Sequence, residues 1–170
     1  MLIIFGGLPG AGKSTLALKL ACRCKAVYLR IDTIERAMVE REEASSLGER
    51  GYRVAYAVAE DNLRLGHTVI VDSVNPLQIT RSAWLNVAQR VGVQSLEIEV
   101  ICSDRVEHRR RVETRSAIVA VTWHEVVTRE FEPWIGEHIR IDTSGQTIDQ
   151  SLAALLEMLP RGLTAPPMRP

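Results

Sequence analysis

A chain of 170 residues holds one domain with a substantial core and leaves no room for a separate second one. Its 21 basic and 21 acidic residues cancel to a formal net charge of zero, which supplies no electrostatic footprint for extensive polynucleotide binding and leaves only a local basic groove open. Cys22, Cys24 and Cys102 are too few and too poorly spaced for a disulfide framework or a zinc site, so they read as ordinary thiols of a reducing compartment.

The first β-rich run, Leu2 to Phe5, has no basic leader or cleavage site, and no apolar run approaches the ~20 residues of a membrane span. A cytoplasmic protein without a membrane partner is expected. The run leads directly into GLPGAGKSTLA, Gly7 to Ala17, in which Gly7, Gly12, Lys13 and Ser14 fill the pattern G-x-x-x-x-G-K-[ST]. Glycines let a backbone wrap closely enough for successive N–H groups to face phosphate oxygens, the lysine reaches the β/γ oxygens, and the serine hydroxyl can ligate Mg²⁺. Gly7, Gly10, Ala11, Gly12, Lys13, Ser14 and Thr15 are therefore the candidate nucleotide-binding residues, with Ser14 also a metal ligand. Leu16, Ala17, Leu20, Ala21 and Cys24 recur at helical spacing behind them, which completes a strand–loop–helix unit whose helix points its positive end at the same anion.

The second run, Ala26 to Ile31, is followed by Asp32 and by a helix expected to begin near Ile34. Asp32 reads either as a cap for that helix or as the carboxylate that takes the proton from an acceptor hydroxyl during phosphoryl transfer. Arg36, one turn on, either holds a polar acceptor or is a solvated surface charge. Residues 33–66 form the candidate acceptor-binding insert, with Arg41, Glu42, Glu43, Tyr52, Arg53 and Tyr56 available, and a helix is expected from Arg53 to Leu65.

The third run, Thr68 to Val71, ends in VIVDSVNP. Asp72 after three β-branched residues has the form of a Walker B carboxylate that holds the hydration shell of magnesium beside Ser14, with a helix cap as the other reading. Asn75 and Pro76 turn into a helix with Ile79, Ala83, Trp84, Val87, Ala88 and Val91 on one face. The fourth run, Leu96 to Ile101, leads to ICSDRVEHRRRVETR, whose Arg111 and Arg115 share a helix face. That cluster is either a solvated surface, partly satisfied by Glu107 and Glu113, or a lid about residues 111–122 that brings guanidinium groups over the transferring phosphoryl. A fifth run, Ile139 to Ile141, precedes a helix carrying Ile148, Leu152, Leu155, Leu156 and Leu159. Strands alternating with helices mean an α/β fold, a parallel sheet covered on both faces, with ligands beyond the carboxyl ends of the strands. Residues 1–159 form the expected domain and 160–170, with four prolines, a loosely ordered tail.

Taken together, GLPGAGKST, RIDTI, VIVDSVNPLQITRSAW and RRRVETR resemble the small P-loop kinases of the nucleoside-monophosphate-kinase-like group. The likeness is nearest to the 5′-hydroxyl kinase domain of polynucleotide kinase and to gluconate kinase and chloramphenicol phosphotransferase, and it runs from Leu2 to about Ser144. It implies a five-stranded parallel core in order 2-3-1-4-5, ATP and Mg²⁺ as cofactors, Lys13 and Asp32 as catalytic residues, and a lid bearing Arg111 and Arg115. It also implies that IRIDTSG forms the last strand and the loop near adenine, and it puts Asn75 and Arg81 with Arg36 on the acceptor side. The neutral charge favours a small-molecule hydroxyl over a nucleic-acid 5′ end. Arg115 is followed by Ser116, where the gluconate-kinase lid has a histidine, which disfavours a sugar acid. A switch GTPase is excluded by the lack of an Asn-Lys-x-Asp segment, while a non-catalytic ATP-binding module or ATPase remains the rival reading. A monomer or homodimer is expected.

Overall fold

The structure, a computed structural model, describes residues 1–39, 47–114, 121–160 and 163. Arg41, Glu42 and Glu43 of the expected insert, Arg115 of the expected lid, and the tail apart from Pro160 and Leu163 lie outside the described residues. Five strands, β1 (Leu2–Gly6), β2 (Val27–Arg30), β3 (Val69–Asp72), β4 (Ser95–Ile101) and β5 (Ile139–Asp142), pair in parallel in the order β2-β3-β1-β4-β5. The sheet order is the one expected. The helices are α1 (Lys13–Cys24), α2 (Ile31–Val39), α3 (Leu47–Arg64), α4 (Gln78–Val91), α5 (Arg105–Glu113), α6 (Trp123–Thr128) and α7 (Ile148–Met158).

The central strand explains the two-layer core. β1 lies between β3 and β4, so every residue of LIIFG is buried, and alternation sends Ile3 and Phe5 to one face and Leu2 and Ile4 to the other. The first pair packs with Leu16 and Leu20 of α1 and Leu155 of α7. The second packs with Ala55, Ala59 and Leu63 of α3 and Trp84 and Val87 of α4. Each large apolar side chain so buried contributes roughly 1.5–3 kcal/mol relative to exposure. Because β1 has β3 on one side and β4 on the other, the loop after it opens at the point where the winding of the sheet reverses, the usual ligand crevice of such folds.

Two boundaries differ from expectation, each for a packing reason. α2 begins at Ile31, directly after β2, rather than near Ile34, because Ile31 is buried in the α3/α4 layer and pulls the turn back to Arg30. Asp32 therefore stands inside the first turn of α2 and is not a cap preceding it. α3 is already helical at Leu47 and carries Gly51 in its interior. A β-carbon at Gly51 would come within 2.5 Å of Glu35 Cγ, so the bare backbone lets α2 lie against α3.

Candidate active site

The loop from Gly7 to Gly12 is shaped by what surrounds it. Gly7 has φ of 144°, and a β-carbon there would run into the Val100 carbonyl, so glycine alone fits between β1 and β4. Its N–H donates to the Val74 carbonyl at 3.0 Å. Gly12 caps α1 in a left-handed conformation, with no side-chain cap and no acid in the first turn. By contrast Asp104, Thr122 and Thr147 cap α5, α6 and α7 with their own side chains. Among the described residues the start of α1 thus presents backbone N–H groups and the positive end of the helix without a side-chain cap, as an anion site requires. Lys13 and Ser14 stand at that end, with Lys13 only 6% exposed.

Asp72 is the electrostatic centre. Parallel register sets it beside Phe5 of β1 and Arg30 of β2, and it is 1% exposed. Its Oδ1 lies 3.7 Å from Lys13 Nζ and has no hydrogen-bond partner, while Oδ2 accepts the Tyr28 hydroxyl at 2.7 Å and lies 3.7 Å from Arg30 Nε. Burial, followed by the Asp72 charge, pushes the Tyr28 phenol up, so it remains a proton donor. Arg30 also donates from Nη2 to Asp32 Oδ2 at 2.9 Å. Lys13, Asp72, Arg30 and Asp32 therefore form one chain of alternating charge, running from the phosphate loop to the first turn of α2. Asp32 itself is 50% exposed.

Beyond it lies Glu35, half-buried between α2 and α3. Burial first, and the Asp32 charge second, raise its carboxyl to about 7. The Tyr52 hydroxyl faces the buried Ser73 side chain and the Asn75 backbone, and burial pushes that phenol up as well. Arg36 is exposed on α2.

Asn75 and Arg81 occupy the interior. Asn75 is fully buried with φ of 48°, and its Nδ2 donates to the Phe5 carbonyl at 2.9 Å. Arg81, 1% exposed, donates from Nη1 to the Asn75 carbonyl at 3.0 Å and from Nη2 to the Pro133 carbonyl at 3.0 Å, reaches the Glu132 carbonyl with both, and lies 4.8 Å over the Trp134 ring. Its donors are turned on carbonyls that lack sheet partners, so its place is to brace the 75–78 turn against residues 132–134, where the sequence had suggested an acceptor contact.

α5 lies along the other side of the loop. Arg111 donates to Thr143 Oγ1 at 2.7 Å, to the Thr143 carbonyl at 2.9 Å and to Glu107 Oε1 at 2.7 Å. Arg109 instead pairs with Glu113 on the surface. Arg111 and Thr143 border a cavity of about 380 Å³ whose other walls include Gly12, Lys13, Thr15, Gln146 and Ile148, within the size range of small-ligand sites. His108 Nε2 donates to the Pro9 carbonyl at 2.8 Å, and its ring meets Trp123 edge-on at 5.2 Å. Tyr28, Arg30, Glu35 and His108 had not been singled out from the sequence. Tyr28 and Arg30 were legible in principle, since residues two apart on a strand share a face and β2 ends beside Asp72. For Glu35 and His108 no local signal exists.

Residues 2–133 match the protein family described as an AAA domain. The chain is 27% identical over 165 residues to the adenylyl-sulfate kinase of Synechococcus sp. (strain JA-3-3Ab), covering 91% of each chain. Among solved structures, Kti12 of Chaetomium thermophilum in complex with ADP-AlF3 superposes with a TM-score of 0.69 at 20% identity, over 94% of this chain and 100% of that one. A gluconokinase from Sinorhizobium meliloti 1021 superposes with a TM-score of 0.65 at 18% identity, over 92% and 91%. These last two likenesses are of fold.

Proposed function

The chain belongs to the AAA domain family, and from that membership, together with the buried Lys13–Asp72 pair at the uncapped start of α1, we propose that it is an ATP-dependent phosphotransferase acting on a hydroxyl of a small-molecule acceptor. The observation that carries the reading is the charge chain from Lys13 through Asp72 and Arg30 to Asp32. It joins a phosphate-binding end to a half-exposed carboxylate, the spatial order that transfer to an acceptor needs.

The loop amides and Lys13 hold the β/γ-phosphate oxygens and offset the charge that spreads over them as the phosphoryl moves. Asp32 accepts a hydrogen bond from the acceptor hydroxyl and takes its proton as the new oxygen–phosphorus bond forms and the bond to the β-phosphate oxygen breaks. Arg30 donates to Asp32 Oδ2 and so directs the carboxylate. Arg111 stands beside the nucleotide cavity, and Arg115 is the second lid cation of the proposal. Among the described residues no three His, Cys, Asp or Glu side chains gather as a metal site. The buried Oδ1 of Asp72, which has no hydrogen-bond partner among the described residues, fits a hydrated magnesium ion, which Ser14 and Asp72 would hold and which would neutralise phosphate charge when bound. Asn75 and Arg81 support this site from within rather than by touching the acceptor.

The names of the relatives support a small molecule, ahead of a nucleic-acid 5′ end. The ADP-AlF3 complex of Kti12 favours a second reading, a nucleotide-hydrolysing module. Three free cysteines support a cytoplasmic setting, in which the protein acts as monomer or homodimer. No helix among the described residues is long and apolar enough to cross a membrane.

The test is transfer of label from γ-labelled ATP with Mg²⁺ to acceptors in a metabolite extract, run beside Asp32→Asn. Wild type should label an acceptor, and the variant should do so roughly 10²- to 10⁴-fold more slowly while binding ATP as before. Label released only as free phosphate, at the same rate in both proteins, would replace the kinase by the hydrolysing module.

A further inference from the structure

Two carbonyls of the phosphate loop are held from outside it. The Pro9 carbonyl accepts the His108 Nε2–H at 2.8 Å, and the Ala11 carbonyl accepts the Thr143 hydroxyl at 2.8 Å. Thr143 in turn accepts Arg111 Nη1 at 2.7 Å. The peptide bonds of the described residues are all trans, and in a trans unit the carbonyl and the N–H of the same plane point in opposite directions. Holding Pro9 O toward α5 therefore turns the Gly10 N–H the other way, and holding Ala11 O does the same for the Gly12 N–H. Gly10 and Gly12 both border the cavity beside Lys13. A carbonyl facing that space would instead repel a phosphate.

The imidazole is fixed for the task. His108 is buried, Trp123 meets its ring edge-on, and α5 lies so close to the loop that a β-carbon on Gly10 would come within 2.6 Å of Val112 Cγ2 and 3.1 Å of His108 Cδ2. A carbonyl only accepts, so Nε2 carries the proton. Thr143 borders the cavity and can itself meet a nucleotide, whereas His108 is not among the residues that line it.

The geometry points to His108 as a positioning residue for phosphate binding, which acts through the Pro9 carbonyl to aim the Gly10 amide at the nucleotide. This rests on the nucleotide-binding part of the proposed function. It places a determinant of ATP affinity on the arginine-bearing helix, outside the glycine-rich motif.

The experiment measures the affinity of wild type, His108→Leu and His108→Gln for a fluorescent ATP analogue with Mg²⁺, and for the corresponding adenosine analogue without phosphates. Leucine fills the space without a donor, and glutamine restores an N–H at similar reach. His108→Leu should weaken the ATP analogue about tenfold, as expected for loss of one aligned hydrogen bond and its oriented amide, and leave the adenosine analogue unchanged, with His108→Gln recovering most of the loss. If His108→Leu binds the ATP analogue like wild type, or His108→Gln is as weak as His108→Leu, the inference falls and the nucleotide-binding reading stands. Equal weakening toward both analogues would show a structural effect only and also overturn it. Should His108→Leu not fold, His108→Gln and His108→Asn give the same comparison, both polar but only the former long enough to reach Pro9. A wild-type protein that binds neither analogue overturns the nucleotide-binding reading together with this one.

Discussion

Asp32 and Glu35 stand one turn apart on α2, yet their surroundings separate them. Asp32 is half exposed and paired with Arg30. Glu35 is pressed between α2 and Gly51 of α3, and burial with the Asp32 charge raises its carboxyl from 4.5 to about 7. The folded protein therefore keeps a proton on Glu35 that the unfolded chain releases above about pH 4.5. Stability tied to this group is fullest below that pH and is lost as the pH rises to about 7. Glu35→Gln removes the penalty. Urea denaturation should find the variant and wild type alike near pH 4.5. At pH 8 the variant should be more stable by about 1 kcal/mol, a figure discounted from ~1.4 kcal/mol per pH unit because solvent reaches a half-buried group. The sequence displayed Asp32 plainly, since it follows the β-rich run Ala26 to Ile31. Glu35 looked like one more helical charge, because its burial depends on a glycine sixteen positions away that only folding brings to it.

At the level of elements, apolar spacing fixes what is helix and what is strand, while the partners of buried polar groups fix how the elements join. α4 shows this at its first turn, where Arg81 binds the carbonyls of Asn75, Glu132 and Pro133 together. Those carbonyls belong to stretches without regular hydrogen bonding, so the guanidinium replaces a missing ladder. Arg81→Met keeps the bulk of the side chain and strips all of these donors. It should lower the unfolding free energy by about 3–5 kcal/mol in chemical denaturation, whereas Arg81→Lys, which lacks the planar fork, should recover only part of it. The Asn-Pro turn and the following Arg-x-x-Trp were visible as a pattern. What the arginine serves was not, because its acceptors lie about fifty residues further on in residues 132–133.

For the whole molecule, the sheet places the ends of β1 and β3 side by side, so the loop, Asp72 and the start of α1 meet where the winding reverses. A ligand that binds there in the folded state alone should stabilise the fold as one unit. With MgATP at a hundred times its Kd, linkage gives about 2.7 kcal/mol, and at roughly 2–4 °C per kcal/mol for a chain of this size the melting temperature should rise by about 5–10 °C. Thermal unfolding followed by circular dichroism checks this, and a shift of the same size with Mg²⁺ alone would argue against a nucleotide site. The sequence by itself determined the alternation of strands and helices, the phosphate loop and the strand-end position of Asp72, because glycine spacing and hydrophobic period act within a few residues. Only the tertiary structure decided the start of α2, the inward turn of Arg81, the proton on Glu35 and the hold of His108 on Pro9. In each case the outcome depends on which distant backbone or side chain folding brings beside the residue.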